Sequence, residues 1–148
     1  MLPDAVSNYL HKRSAPGPWT LELVADEKYP GAIVIPSLAE SAWLPQTLDS
    51  LVSDPTLAES SLAVVFVINN RLDASADERH DNRFSLEYLR EARARLPFSL
   101  GIIDASSPGL ELPLKEGGVG LARKLGHDLL LPFLDYSTID PIIISLDA

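Results

Sequence analysis

Three segments of the chain are almost continuously apolar: Ala32-Ile33-Val34-Ile35, the run from Leu62 to Ile68, and Ile142-Ile143-Ile144-Ser145-Leu146. Phe98 to Ile103 is a fourth, interrupted by Ser99 and Gly101. Runs this short and unbroken predict strands covered on both faces, as in parallel sheets. Helical spacing fills the gaps between them. Leu44, Leu48, Leu51 and Val52 line one face, with Pro45 in the first turn, where its missing N–H costs little. Phe84, Tyr88, Ala92 and Leu96 recur every fourth residue, and Pro97 stops that helix. Leu121, Leu125 and Leu129 make a third stripe, weakened by Gly126. Strands alternating with helices predict an α/β fold: a doubly wound, mostly parallel sheet with helices on both faces and right-handed crossovers.

The first thirty residues read as an extension to a domain spanning 31–148. Val6, Tyr9 and Leu10 fit one side of a short helix, Ser14 to Pro18 breaks it, and Trp19 to Val24 reads as a short extra strand. The chain stops two residues after its last apolar run. The expectation is therefore the N-terminal portion of something longer.

Composition narrows the chemistry. The 148 residues include no cysteine, which excludes disulfides, thiolate catalysis and cysteine-ligated zinc. The net charge of -9 makes sequence-independent nucleic-acid binding a poor expectation. Residues 71–95 are locally the most basic, and pairs such as Arg83 with Glu87 and Glu91 with Arg95 are expected along a solvated helix. No run is long enough to span a membrane, and the start lacks a secretory pattern, so a cytoplasmic protein is the default expectation. His11, His80 and His127 share no ligand spacing, and Ser37 and Ser145 lack the Gly-x-Ser-x-Gly elbow of many hydrolases.

Ligands of open parallel sheets bind beyond the carboxyl ends of the strands. Those ends carry Pro36-Ser37-Leu38-Ala39-Glu40, Asn69-Asn70-Arg71, Asp104-Ala105-Ser106, and Asp147. Each has a structural explanation: Glu40 as a favourable charge near a helix start, the asparagines as a turn, Asp104 as a cap. Their shared placement favours a binding rim. Gly117-Gly118-Val119-Gly120 opens a helix, where glycines admit close backbone approach and the N–H groups favour anions. These glycines do not follow the first strand, so the pattern is not the dinucleotide fingerprint.

The segment Gly31-Ala-Ile-Val-Ile-Pro-Ser-Leu-Ala-Glu40, with the helix from Leu44 to Leu51, resembles the opening of family-2 type glycosyltransferases with the GT-A fold. Val64 to Asn70 resembles their second strand. Gly118-Val-Gly-Leu-Ala-Arg-Lys-Leu-Gly126 resembles their Gly-x-x-x-Ala-Arg-Asn-x-Gly segment, and Ile142 to Asp147 the strand that delivers an Asp-x-Asp motif. The resemblance covers roughly residues 31–148 and implies the following. The partner would be a nucleotide-diphospho-sugar, its nucleoside against Pro36, Ser37, Leu38 and Glu40. Asn69 and Asn70 stand where the family has an aspartate facing the base. Gly120, Arg123 and Lys124 would lie near the nucleoside or diphosphate, with Lys124 in place of the usual asparagine. Asp147 would begin a Mg²⁺ or Mn²⁺ site, incomplete because Ala148 is the last residue. The chain by itself is then expected to lack transferase activity and to bind no metal. A second reading is a non-catalytic α/β domain for nucleotide binding or assembly. A third, a sugar-nucleotide pyrophosphorylase, is disfavoured because no Gly-rich loop follows the first strand. An unpaired strand ending at Asp147 would template pairing with a second copy, so a homodimer through that edge is expected.

Overall fold

The computed structural model describes residues 1–24, 26–137 and 139–148. Its elements are α1 (Asp4–Arg13), β1 (Leu21–Glu22), β2 (Gly31–Ser37), α2 (Leu44–Val52), α3 (Pro55–Ser60), β3 (Ala63–Asn69), α4 (Ala76–Ala92), β4 (Ser99–Ala105), α5 (Val119–Leu130) and β5 (Ile142–Ser145). The five strands form one sheet in the order β1-β4-β3-β2-β5. All neighbours are parallel except β1, which runs antiparallel to β4. The fold is thus the expected α/β sheet, mostly parallel, and its topology has one reversal. The chain steps outward from β2 to β3 to β4, then returns to place β5 on the other side of β2.

The central strands are apolar throughout because both their faces are covered. Ile33, Ile35, Val64, Phe66 and Ile68 face one layer, built by Leu44 and Leu48 of α2 and Leu86 and Leu89 of α4. Ala32, Val34, Val65 and Val67 face the other, against Ala122, Leu125 and Leu130 of α5. Alternate side chains of a strand point to opposite faces, so each strand feeds both cores. Gly126 has a packing reason: a Cβ there would stand 2.3 Å from Val34 Cγ1 and 3.1 Å from Val67 Cγ2. Its hydrogen lets α5 lie closer to the sheet than any side chain allows.

The structure departs from the sequence reading in four places. β5 is not covered on both faces; Ile142 is 64% exposed and Ile144 44%. The stripe expected on α4 holds at Tyr88, Ala92 and Leu96 but not at Phe84, which points to solvent, and it is widened by Asn82, Ser85, Leu86 and Leu89, which are buried as well. Arg83–Glu87 and Glu91–Arg95 are not among the ion pairs of the described residues; Arg90 and Arg93 reach Glu22 on β1. α3 was not anticipated, although Asp54 caps it through the Thr56 N–H and Pro55 opens it, a readable start signal.

The N-terminal segment joins the same sheet and core. β1 adds the outer strand, and Trp19 Nε1 donates to the Leu110 carbonyl at 2.7 Å. α1 is held on α5 by polar groups. Asp128, nearly buried, accepts from Tyr9 Oη, the Ala15 N–H and Lys124 Nζ, all within 2.7–2.9 Å.

Candidate functional site

A cleft of about 430 Å³ opens at the carboxyl ends of the strands, within the size range of small-molecule sites. Pro36, Ser37, Leu38 and Glu40 line it from the end of β2 and the loop that follows. Asn69, Asn70 and Arg71 come from the end of β3, Gly117, Gly118 and Val119 from the start of α5, and Asp147 from beyond β5. The cleft therefore lies where the strand order reverses, between β2 and β5, which is where open α/β sheets hold ligands.

Of the ten residues expected to hold the nucleotide, seven line the cleft: Pro36, Ser37, Leu38, Glu40, Asn69, Asn70 and Asp147. Gly120 lies one residue beyond the lining, in the first turn of α5. Arg123 reaches the cleft through its ion pair with Asp147. Lys124 does not. Its ammonium donates to Tyr9 Oη, the Arg13 carbonyl and Asp128, so it fastens α1 instead. Asp104 also stays out of the lining: its carboxylate accepts from the N–H groups of Ser106 and Ser107 and from the Ser106 hydroxyl. Burial acts to raise its pKa, but those hydrogen bonds outweigh it and hold the carboxyl below its usual range.

The two asparagines are largely committed inward. Asn69 Nδ2 donates to the carbonyls of Ser37 and Val67, each at 3.1 Å, tying the ends of β2 and β3 together. Asn70 Nδ2 donates to the Arg71 carbonyl, and its Oδ1 accepts from Asn82. What the asparagines show the cleft is mainly their rigid placement of β2 and β3.

Asn82 is the residue that sequence reasoning missed. It is completely buried on α4. Its Nδ2 donates to the Asn69 carbonyl and to Asn70 Oδ1, and its Oδ1 accepts the Ala39 N–H, each at 2.9 Å. Ala39 sits at φ 52, a left-handed conformation that costs a non-glycine residue about 1 kcal/mol or more. Next door, Asp81 accepts from the N–H and hydroxyl of Ser41. α4 thus fixes the Pro36–Glu40 loop from below. The signal was present: Asn82 lies in helical phase with Leu86 and Leu89, a polar residue on a buried stripe.

Two polar atoms at the cleft lack a hydrogen bond among the described residues: Ser37 Oγ and Glu40 Oε2. Ser37 is only 1% exposed. Partial burial pushes the Glu40 carboxyl above its usual range; the nearby Ser37 hydroxyl opposes the shift, and the charges of Asp147 and Asp81 reinforce it. Asp147 is itself paired with Arg123, whose buried Nε has no hydrogen bond among the described residues. Among the described residues, no three metal-ligating side chains converge. With Asp147 already paired to a guanidinium, the residues present do not make a Mg²⁺ or Mn²⁺ site on their own. At the edge of the site, His127 Nε2 and Ser145 Oγ lie 3.1 Å apart, and burial lowers the His127 pKa.

The chain matches no family model, no curated protein and no solved structure. No helix among the described residues is long and apolar enough to cross a membrane.

Proposed function

We propose that the chain is the donor-binding part of a glycosyltransferase, a domain that holds a nucleotide-diphospho-sugar in the cleft between β2 and β5. The carrying observation is the coincidence of the cleft with the strand-order reversal, lined there by Ser37, Glu40 and Asp147 from the two strands that flank it. Carboxylates and hydroxyls at such a rim are suited to the hydroxyls of a ribose, and Pro36 and Leu38 offer an apolar surface to a base. The resemblance of the β2 loop and the α5 segment to family-2 type glycosyltransferases supports the same reading, independently of the cleft.

The runner-up is a non-catalytic α/β domain that binds or assembles. Two observations favour it. Arg123 already neutralises Asp147, and the side-chain amides of Asn69 and Asn70 serve the scaffold.

An NMR titration with UDP, GDP, CDP and dTDP separates nucleotide binding from a purely assembling domain. Donor binding is expected to move the amide signals of Ser37 to Glu40 and of Arg71, with one base preferred. If no nucleotide at saturating concentration moves them, the donor-binding reading fails.

A further inference from the structure

β5 is packed on one face and bare on the other. Its register sets Ile144 beside Ile33 and Ser145 beside Val34. Ile33 belongs to the layer under α2 and α4, and Val34 to the layer under α5. Paired residues of neighbouring strands share a face, so Ile143 and Ser145 lie on the α5 side. There Ile143 packs against the core, and Ser145 Oγ meets His127 Nε2 at 3.1 Å. Ile142, Ile144 and Leu146 lie on the opposite side and remain 64%, 44% and 40% exposed.

The backbone of β5 is likewise half used. The Ile142 N–H donates to the Pro30 carbonyl and the Leu146 N–H to the Val34 carbonyl, both towards β2. A strand residue points its N–H and C=O to one side, and the next residue points them to the other. Ile143 and Ser145 therefore aim both groups at the outer edge, which has no neighbouring strand among the described residues. Edge strands are ordinarily guarded by a charge, a proline or a bulge. Pro141 guards the start of β5, and no charged residue follows until Asp147. In a chain of net charge -9, this stretch of edge carries no repulsion of its own. Its free backbone groups and its apolar stripe are both symmetric about Ile144.

We propose that this edge joins a second copy of the chain, β5 running antiparallel to β5 about a two-fold axis at Ile144. The symmetry selects the register. Ile143 of each copy exchanges both hydrogen bonds with Ser145 of the other, so every outward group of those two residues is satisfied. On the bare face Ile144 meets Ile144 across the axis, at a pair whose Cα atoms stand about 4.5 Å apart, and Ile142 meets Leu146. Other axes fit worse. Centring on Ile143 sets Leu146 against Asp140, and Ser145 against Pro141, which has no N–H to give. Centring on Ser145 leaves Ile142 against Ala148 and draws the charged Asp147 into the ladder. The interface is isologous, each copy offering the same patch. It is independent of what the cleft binds.

The test combines hydrogen exchange with cysteine cross-linking of the whole chain. Sedimentation over a concentration series is expected to show a monomer–dimer equilibrium. Exchange at the Ile143 and Ser145 amides is expected to slow at least about tenfold once the dimer dominates, while Ile142 and Leu146, already bonded to β2, exchange as before. Because the chain has no cysteine, single substitutions read the register cleanly. Ile144→Cys is expected to give a disulfide-linked dimer under mild oxidation, since the Cα separation at the axis suits a disulfide. Ile142→Cys and Leu146→Cys are each expected to stay unlinked alone and to link to one another when mixed. A monomer at every concentration overturns the proposal and leaves the edge to a strand of another chain. A dimer whose Ile143 and Ser145 amides gain no protection overturns it as well. Self-linking of Ile142→Cys or Leu146→Cys faster than that of Ile144→Cys overturns the antiparallel pairing about Ile144.

Discussion

Replacing Asn82 with alanine removes the polar hub beneath the cleft. Three hydrogen bonds disappear, those to Ala39, Asn69 and Asn70, in a site that water does not reach. Each such bond contributes about 1 kcal/mol net, and the Ala39 N–H loses the acceptor that holds it. The expected destabilisation is about 3–4 kcal/mol, large for a single substitution. In a domain of this size, each kcal/mol lowers Tm by about 2–4 °C, so the midpoint should fall by roughly 10 °C. The effect is also local. The Ala39 N–H bond to Asn82 helps hold its left-handed conformation, so the Pro36–Glu40 loop should relax. Thermal unfolding by circular dichroism gives the first quantity, and hydrogen exchange at the Ala39 amide gives the second. Asn82→Asp separates chemistry from size. A buried carboxylate still accepts from Ala39 but faces the Asn69 carbonyl and Asn70 Oδ1 with no donor. Its deficit should shrink as pH falls and the protonated acid regains an O–H. A Tm drop under about 3 °C for Asn82→Ala, with unchanged protection of Ala39, would refute the hub.

Glu40→Gln should stabilise the protein at neutral pH. Native Glu40 holds its proton more tightly than in the unfolded chain, so its contribution declines as pH rises through its raised pKa, and the advantage of glutamine vanishes at acid pH; denaturant unfolding at several pH values reads this. Gly126→Ala should destabilise by about 1–3 kcal/mol despite better helix propensity, because the new methyl overlaps Val34 Cγ1 and Val34 is stiff at χ1; thermal unfolding checks it. If the β5 edge mediates self-association, Ile144→Lys should shift the chain towards monomer in light scattering with its circular dichroism intact, since Ile144 is exposed and its replacement leaves the core alone.

The parts of the fold readable in the sequence were those set by burial on two faces. β2 and β3 are unbroken apolar runs because helices cover them above and below. β5 carries the same signature without the cover, so composition alone could not distinguish it. The α4 stripe went astray for a related reason. Near the rim, that helix spends its inward face on Asn82 and Ser85, and a search for apolar spacing takes in Phe84 instead. The rim itself was legible, because parallel strands must present their carboxyl ends together. Side-chain direction was not. Lys124 and Arg123 are adjacent on one helix turn, yet one grips α1 and the other grips Asp147.

The sheet has unlike borders. On one side β1, two residues long and antiparallel, covers Ile102 and Ile103 of β4 with a strand too short to recruit another. On the other side β5 pairs with β2 and leaves its outer backbone open among the described residues. Any strand added there, whether from a second copy or from another chain, would run beside Asp147 and raise a new wall along the open flank of the cleft.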